Sequence, residues 1–276
     1  MNSGDSYTAT GFNVSGAQPS PSNPMGNPAL GSATFTRGEN WVGYLTETYN
    51  RTFIESYDFA VGGATINGSI VASATPMDVQ ITTSFEPNYS PATFWTGGNS
   101  VFLVWIGIND IIKTYAAGNE TTEIPILINA YRALLSNLYT HGARKFMLVN
   151  IPPLDRSPNI VALGNTAVVE FATAVSTYNT ALIPMVEKFK AAKRGVRSLK
   201  SNGSREELMN SQVFAELYDI HTYMSTVLGS PMTYGFTNNT CENTATCIWQ
   251  GSLHTMYSFN KLFAADMVPT LSRLGW

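Results

Sequence analysis

Hydrophobic and polar positions along this chain alternate between short apolar runs and longer helical patterns. Residues 101–106 are apolar throughout and stop at Gly107. A run that short and unbroken predicts a strand buried on both faces. Residues 145–150 repeat the pattern and stop before Pro152-Pro153. Residues 57–61 predict a third strand, ended by Gly62-Gly63, and residues 213–220 a fourth. Residues 124–140 predict a helix closed by His141-Gly142. Residues 166–190 place Val168, Phe171, Val175, Tyr178, Leu182, Met185 and Phe189 three and four apart, which gives one apolar helical face. Pro184 should kink that helix. A short helix is expected from Asn40 to near Asn50, and a closing helix over 256–273. Residues 11–40, with Pro19, Pro21, Pro24 and Pro28, read as a loop long enough to line a site. Strands alternating with helices imply parallel pairing with helices on both faces. The expected architecture is α/β: a three-layer α/β/α sandwich around a central parallel sheet, in a single domain over residues 1–276.

Composition narrows the functional classes. A chain of 276 residues buries a full core without metal or disulfide staples. Charged residues are 13% of the chain, against roughly 25% in an average domain. With a net charge of -3, nothing draws it to nucleic acid or to an anionic membrane. No apolar run reaches the ~18 residues of a membrane span. Two Cys and three His, widely scattered, do not suggest a zinc site. Met1-Asn2-Ser3-Gly4-Asp5-Ser6 has neither the basic start nor the apolar core of a secretory signal. Asn-x-Ser/Thr sequons nevertheless occur at Asn13, Asn50, Asn67, Asn88, Asn119, Asn202 and Asn238, more than chance supplies. Cys241 and Cys247 lie six apart in a polar loop, which predicts a short local disulfide in an oxidising compartment.

Ligands of open parallel sheets sit beyond the C-terminal strand ends. Three such exits carry chemistry here. The chain start offers Ser6 in a turn, residues 57–61 lead to Gly62-Gly63-Ala64-Thr65, and residues 101–106 lead to Gly107-Ile108-Asn109-Asp110. Singly, these are ordinary turns, terminators and N-caps. Together they fit acyl transfer. Serine needs a base to become a nucleophile. An oxyanion needs converging donors, which the Ser6 and Gly63 N–H groups and the Asn109 side chain can supply. Three His compete for the base role: His254 in a loop before the last helix, His221 after the fourth strand, and His141 at a helix C-terminus, where a structural role suffices.

Gly4-Asp5-Ser6, Gly63, Gly107-Ile108-Asn109-Asp110 and His254 resemble the four motif blocks of the SGNH, or GDSL, hydrolase superfamily, over nearly the whole chain. More narrowly, the stretches Gly4-Asp5-Ser6-Tyr7-Thr8, Phe59-Ala60-Val61-Gly62-Gly63-Ala64-Thr65 and Asn150-Ile151-Pro152-Pro153-Leu154-Asp155-Arg156 are similar to fungal secreted esterases of carbohydrate esterase family 16, which are acetylesterases. The resemblance implies a flavodoxin-like α/β/α fold. It implies Ser6 as nucleophile, His254 as base, and an oxyanion hole of Ser6, Gly63 and Asn109. It implies no metal or organic cofactor. The expected partner is a small-molecule or oligosaccharide ester, handled by a secreted monomer. A longer-chain lipase and a non-catalytic relative are the competing readings.

Two departures from the family pattern stand out. An Asp three residues before the His is usual, and that position is Gly251. A backbone carbonyl is then the expected partner of the distal His254 nitrogen. Secondly, none of the five residues before Ser6 makes an apolar strand. The first strand is expected to be vestigial or cut short, leaving unpaired backbone groups and low stability.

Overall fold

The computed structural model describes residues 1–90, 93–195 and 212–276. Four strands, β1 (Asn2–Gly4), β2 (Phe102–Trp105), β3 (Lys145–Val149) and β4 (Phe214–Tyr218), form one sheet in the order β1-β2-β3-β4, with every pair parallel. The principal helices are α1 (Ile108–Thr114), α2 (Glu120–Thr140), α3 (Asn165–Gly195), α4 (Ile220–Gly229) and α5 (Tyr257–Arg273). A separate antiparallel hairpin joins β5 (Trp249–Gln250) to β6 (His254–Thr255).

Strand alternation shows that the sheet is covered on both faces. Trp105 of β2 meets Trp41 and Phe263 of α5. Its neighbour Val104 points the other way, as does Phe102. Phe102 stands beside its register partner Phe146, which packs on Phe189 of α3. The apolar face predicted for residues 166–190 is therefore the one laid on the sheet. Phe171, Val175, Tyr178, Leu182, Met185 and Phe189 are all buried. The helix runs unbroken through Pro184 from Asn165 to Gly195. This is the three-layer α/β/α arrangement that the alternation of elements implies.

Two expectations are corrected. The first strand is present. Met1 and Asn2 offer carbonyls to Leu103 N (2.8 Å) and Phe59 N (2.9 Å), Asn2 N donates to Tyr57 O (2.8 Å), and Gly4 O accepts from Val61 N (3.2 Å). The strand evades hydrophobic patterning because side chains satisfy its polar groups. Asn2 Nδ2 donates to Ser56 Oγ at 2.9 Å. The fully buried Gln80 amide pairs with the Gly4 peptide, Oε1 accepting from N at 3.1 Å and Nε2 donating to O at 2.8 Å. The unpaired groups behind the low-stability expectation are thus paired, and its physical reason falls away. Secondly, residues 57–61 are extended alongside β1, but only Asp58 forms a β-bridge, to Asn2. The short helix expected from Asn40 to near Asn50 is found over residues 41–48, as an α-helical turn at Trp41–Gly43, capped by the Asn40 side chain, that continues as a π-helical turn at Tyr44–Thr48.

Candidate active site

Ser6 sits where β1 ends. The Asp5 carbonyl accepts from Thr8 N (3.0 Å) and Ala9 N (2.9 Å), and Asp5 Oδ1 accepts from Tyr7 N at 2.9 Å. These bonds close a tight turn that leaves the Ser6 side chain facing the strand-exit end of the sheet.

His254 reaches the same point from the far end of the chain. It opens β6, opposite Gln250. The connecting residues Gly251 and Ser252 both take positive φ, +55° and +63°. That loop is anchored twice: Gly251 N donates to Asn243 Oδ1 at 3.0 Å, and Ser252 O accepts from Asn159 N at 2.9 Å. His254 Nε2 lies 2.8 Å from Ser6 Oγ. With the ring neutral and protonated on Nδ1, the Ser6 hydroxyl donates and the imidazole can take its proton. His141 and His221 are elsewhere. His141 Nδ1 lies 3.1 Å from the Asn137 carbonyl at the end of α2, and His221 sits in the first turn of α4.

The two further donors named from sequence flank the neighbouring exits. Gly63 is exposed at φ +78°, with open space where a Cβ would stand, so its amide can be approached closely. Asn109 Nδ2 donates to Ala64 O at 2.9 Å, and among the described residues its second N–H has no partner. Both oxygens of the adjacent Asp110 accept from Ile66 N, at 3.1 and 3.2 Å. Asn109 and Asp110 thus clip the Gly63 loop to the start of α1.

Among the described residues no carboxylate is hydrogen-bonded to His254. Nor is the expected backbone carbonyl found: among the described residues, Nδ1 has no hydrogen-bond partner. Aromatic rings flank the imidazole instead. Phe35 stacks on it at 5.0 Å and 27°, and Tyr7 lies at 5.5 Å and 37°. Burial pushes the His254 pKa below its ordinary value, and no anion offsets the shift. Sequence reasoning missed Phe35, because a lone aromatic in a Pro-rich loop carries no periodic signal. Trp41, Trp105 and Trp249 are core residues, fully buried. Cys241 and Cys247 are disulfide-bonded, with Cα atoms 5.2 Å apart, in the loop that leads to β5.

The profile of the GDSL-like lipase/acylhydrolase family matches residues 1–243. The chain belongs to this family. It is accordingly a carboxylic ester hydrolase. A Thermothelomyces thermophilus protein named acetylesterase is 34% identical over 274 residues, covering 95% of this chain and 84% of its own. A Hypocrea jecorina acetylesterase is 28% identical over 166 residues, covering 53% of this chain and 46% of its own. The fold is shared with a Geobacillus stearothermophilus acetylxylan esterase, Axe2, at TM-score 0.54 and 12% identity, over all of this chain and 93% of that one.

In this GDSL-like chain the motif acids Asp5 and Asp110 are buried, as is Asp58 beside β1. Asp5, Asp58 and Asp110 are each pushed up to about 7, above all by burial. Among the described residues Asp5 Oδ2 has no hydrogen-bond partner. In the unfolded chain these groups lose their protons near the ordinary 3.8, while the folded chain holds them to about 7. Between those values the folded state binds more protons, so stability falls as pH rises. The thermal midpoint is expected to be higher at about pH 5 than at about pH 7.5, and Asp110→Asn to narrow the gap. Equal midpoints in differential scanning calorimetry would refute this account.

Proposed function

We propose that the chain is a serine acetylesterase that removes O-acetyl groups, including those on acetylated plant cell-wall oligosaccharides, outside the cell. The observation that carries this reading is the 2.8 Å contact between Ser6 Oγ and His254 Nε2 at the strand exits. His254 takes the Ser6 proton as Oγ attacks the acetyl carbonyl. The oxyanion that forms is held by the N–H groups of Ser6 and Gly63 and by the Asn109 amide. His254 then protonates the leaving sugar oxygen, which frees the alcohol and leaves an acetyl ester on Ser6. Water, deprotonated by His254, hydrolyses that ester, releasing acetate and returning the proton to Ser6. The cycle uses neither metal nor organic cofactor.

The acetyl preference is supported by the acetylesterases among the relatives. Phe35, 40% exposed beside His254, offers a flat apolar face to a sugar ring. Secretion and glycosylation are supported by the disulfide and by the sequons. Of these, Asn13, Asn88, Asn119 and Asn238 are exposed, and Asn50 and Asn67 partly so. Asn202 lies outside the described residues. Among the described residues no helix is long and apolar enough to cross a membrane.

A series of 4-nitrophenyl esters tests the reading. Turnover is expected to be fastest on the acetate and to fall steadily with acyl length. A preference for eight carbons or longer would move the assignment to a lipase. Absence of fluorophosphonate labelling at Ser6 would make the chain a non-catalytic relative.

A further inference from the structure

Among the described residues the imidazole of His254 has no partner on Nδ1, yet its Nε2 rests on Ser6. Tyr7 links the two chain segments that carry this pair. It follows Ser6 in the chain, and its hydroxyl donates to the carbonyl of Leu253, the residue before His254, at 2.5 Å. Tyr7 is itself held at every point. Its N–H donates to Asp5 Oδ1 at 2.9 Å, and its carbonyl accepts from the Trp41 indole at 2.9 Å. Its ring packs on Trp105 at 5.2 Å and on His254 at 5.5 Å, and it is 4% exposed. Two covalent links, Ser6 to Tyr7 and Leu253 to His254, and two hydrogen bonds, Tyr7 to Leu253 and Ser6 to His254, therefore close a ring around the reactive pair.

We infer that Tyr7 is a positioning residue that tethers the His254 strand to the Ser6 turn, doing part of the work of the acid missing at Gly251. The inference rests on the proposed roles of Ser6 and His254. An acid behind a catalytic His does three things: it places the ring, selects the tautomer and supports the imidazolium. The tether does the first of these alone. It acts on the backbone of the base rather than on the ring nitrogen, and the stacked Phe35 limits the rotation that remains. Such placement matters because a misplacement of ~1 Å costs up to about 10²-fold in rate.

The test is Tyr7→Phe, which keeps the ring and removes only the tether. It is expected to lower kcat about tenfold with KM within about twofold. The acid limb of the pH profile is also expected to move up towards the ordinary His value, because a loosened ring is better solvated. A role confined to core packing would leave that limb in place. A chain carrying 4-aminophenylalanine at position 7 retains a donor in the same position. It is expected to keep most of kcat, and it maintains the test if Tyr7→Phe does not fold. Wild-type kcat in Tyr7→Phe, or an equal loss in the 4-aminophenylalanine chain, would overturn the tether. Ser6→Ala separates the two readings. If Ser6→Ala is inactive while Tyr7→Phe is fully active, only the tether fails. If Ser6→Ala stays active, the catalytic reading fails and takes the tether with it.

Discussion

Ser6→Ala is expected to lower kcat/KM on 4-nitrophenyl acetate by about 10³-fold or more, and His254→Ala by a similar factor. The size of the loss follows from the missing acid. In a complete triad, removing the nucleophile or the base costs roughly 10⁶ in kcat, and removing the acid alone costs roughly 10⁴. An enzyme built without the acid therefore starts closer to the level that the oxyanion hole sustains by itself. Loss of Ser6 then costs about the remaining 10²-fold, plus whatever placement by the protein restores. A loss near 10³ thus measures how well Ser6 and His254 are held at 2.8 Å. The two variants should not be additive, because each removes the same proton transfer. The pH profile carries a second signature. His254 must be neutral to accept the Ser6 proton, and burial lowers its pKa. Wild-type kcat/KM should therefore hold its plateau below the ordinary His value of 6.5 and fall only at more acid pH. An acid limb at or above 6.5, or a Ser6→Ala chain within tenfold of wild type, would reject the assignment.

What was legible in the sequence, and what was not, divides along physical lines. β2 and β3 were legible because strands buried on both faces must be continuously apolar, as Phe102–Trp105 and Lys145–Val149 nearly are. β1 was not legible. Its burial is satisfied by Gln80, Ser56 and the extended residues 57–61, none of which is adjacent in sequence. At the site, Ser6, Gly63, Asn109 and His254 could be named because each sits at a strand exit or in a motif block. The surroundings of His254 could not be read in the same way. Gly251 announced that an acid was missing, but nothing local to it pointed to Tyr7 or Phe35. Tyr7 lies 246 residues from its acceptor Leu253, and only the closed fold brings them together. Motif spacing thus pointed to Ser6 and His254, the groups proposed to react, whereas the groups that hold them depend on long-range packing.

Asn109 sets the second large effect. Asn109→Ala is expected to lower kcat by about 10²- to 10³-fold with little change in KM, because an oxyanion donor acts mainly on charge that develops in the transition state. The fold should survive. Asn109 is partly exposed, and the loop it clips is also held by the two Asp110 contacts to Ile66 N. Asn109→Asp should be worse than Asn109→Ala, although it is the closer match in shape. The amide faces the Ala64 carbonyl at 2.9 Å and, in the proposed mechanism, the oxyanion. An ionised carboxylate has no donor for either and repels both. Protonation reverses part of that penalty, since a neutral carboxylic acid can donate to one of the two oxygens. The activity of Asn109→Asp relative to wild type should therefore rise as pH falls. The lowered pKa of His254 keeps the base neutral over part of that range. Asn109→Ala lacks a titratable group and should show a flat ratio. Steady-state kinetics of the three chains across pH separates these outcomes. An Asn109→Asp chain as active as Asn109→Ala at neutral pH, with no recovery on acidification, would mean that the amide holds the loop and does not face the developing charge.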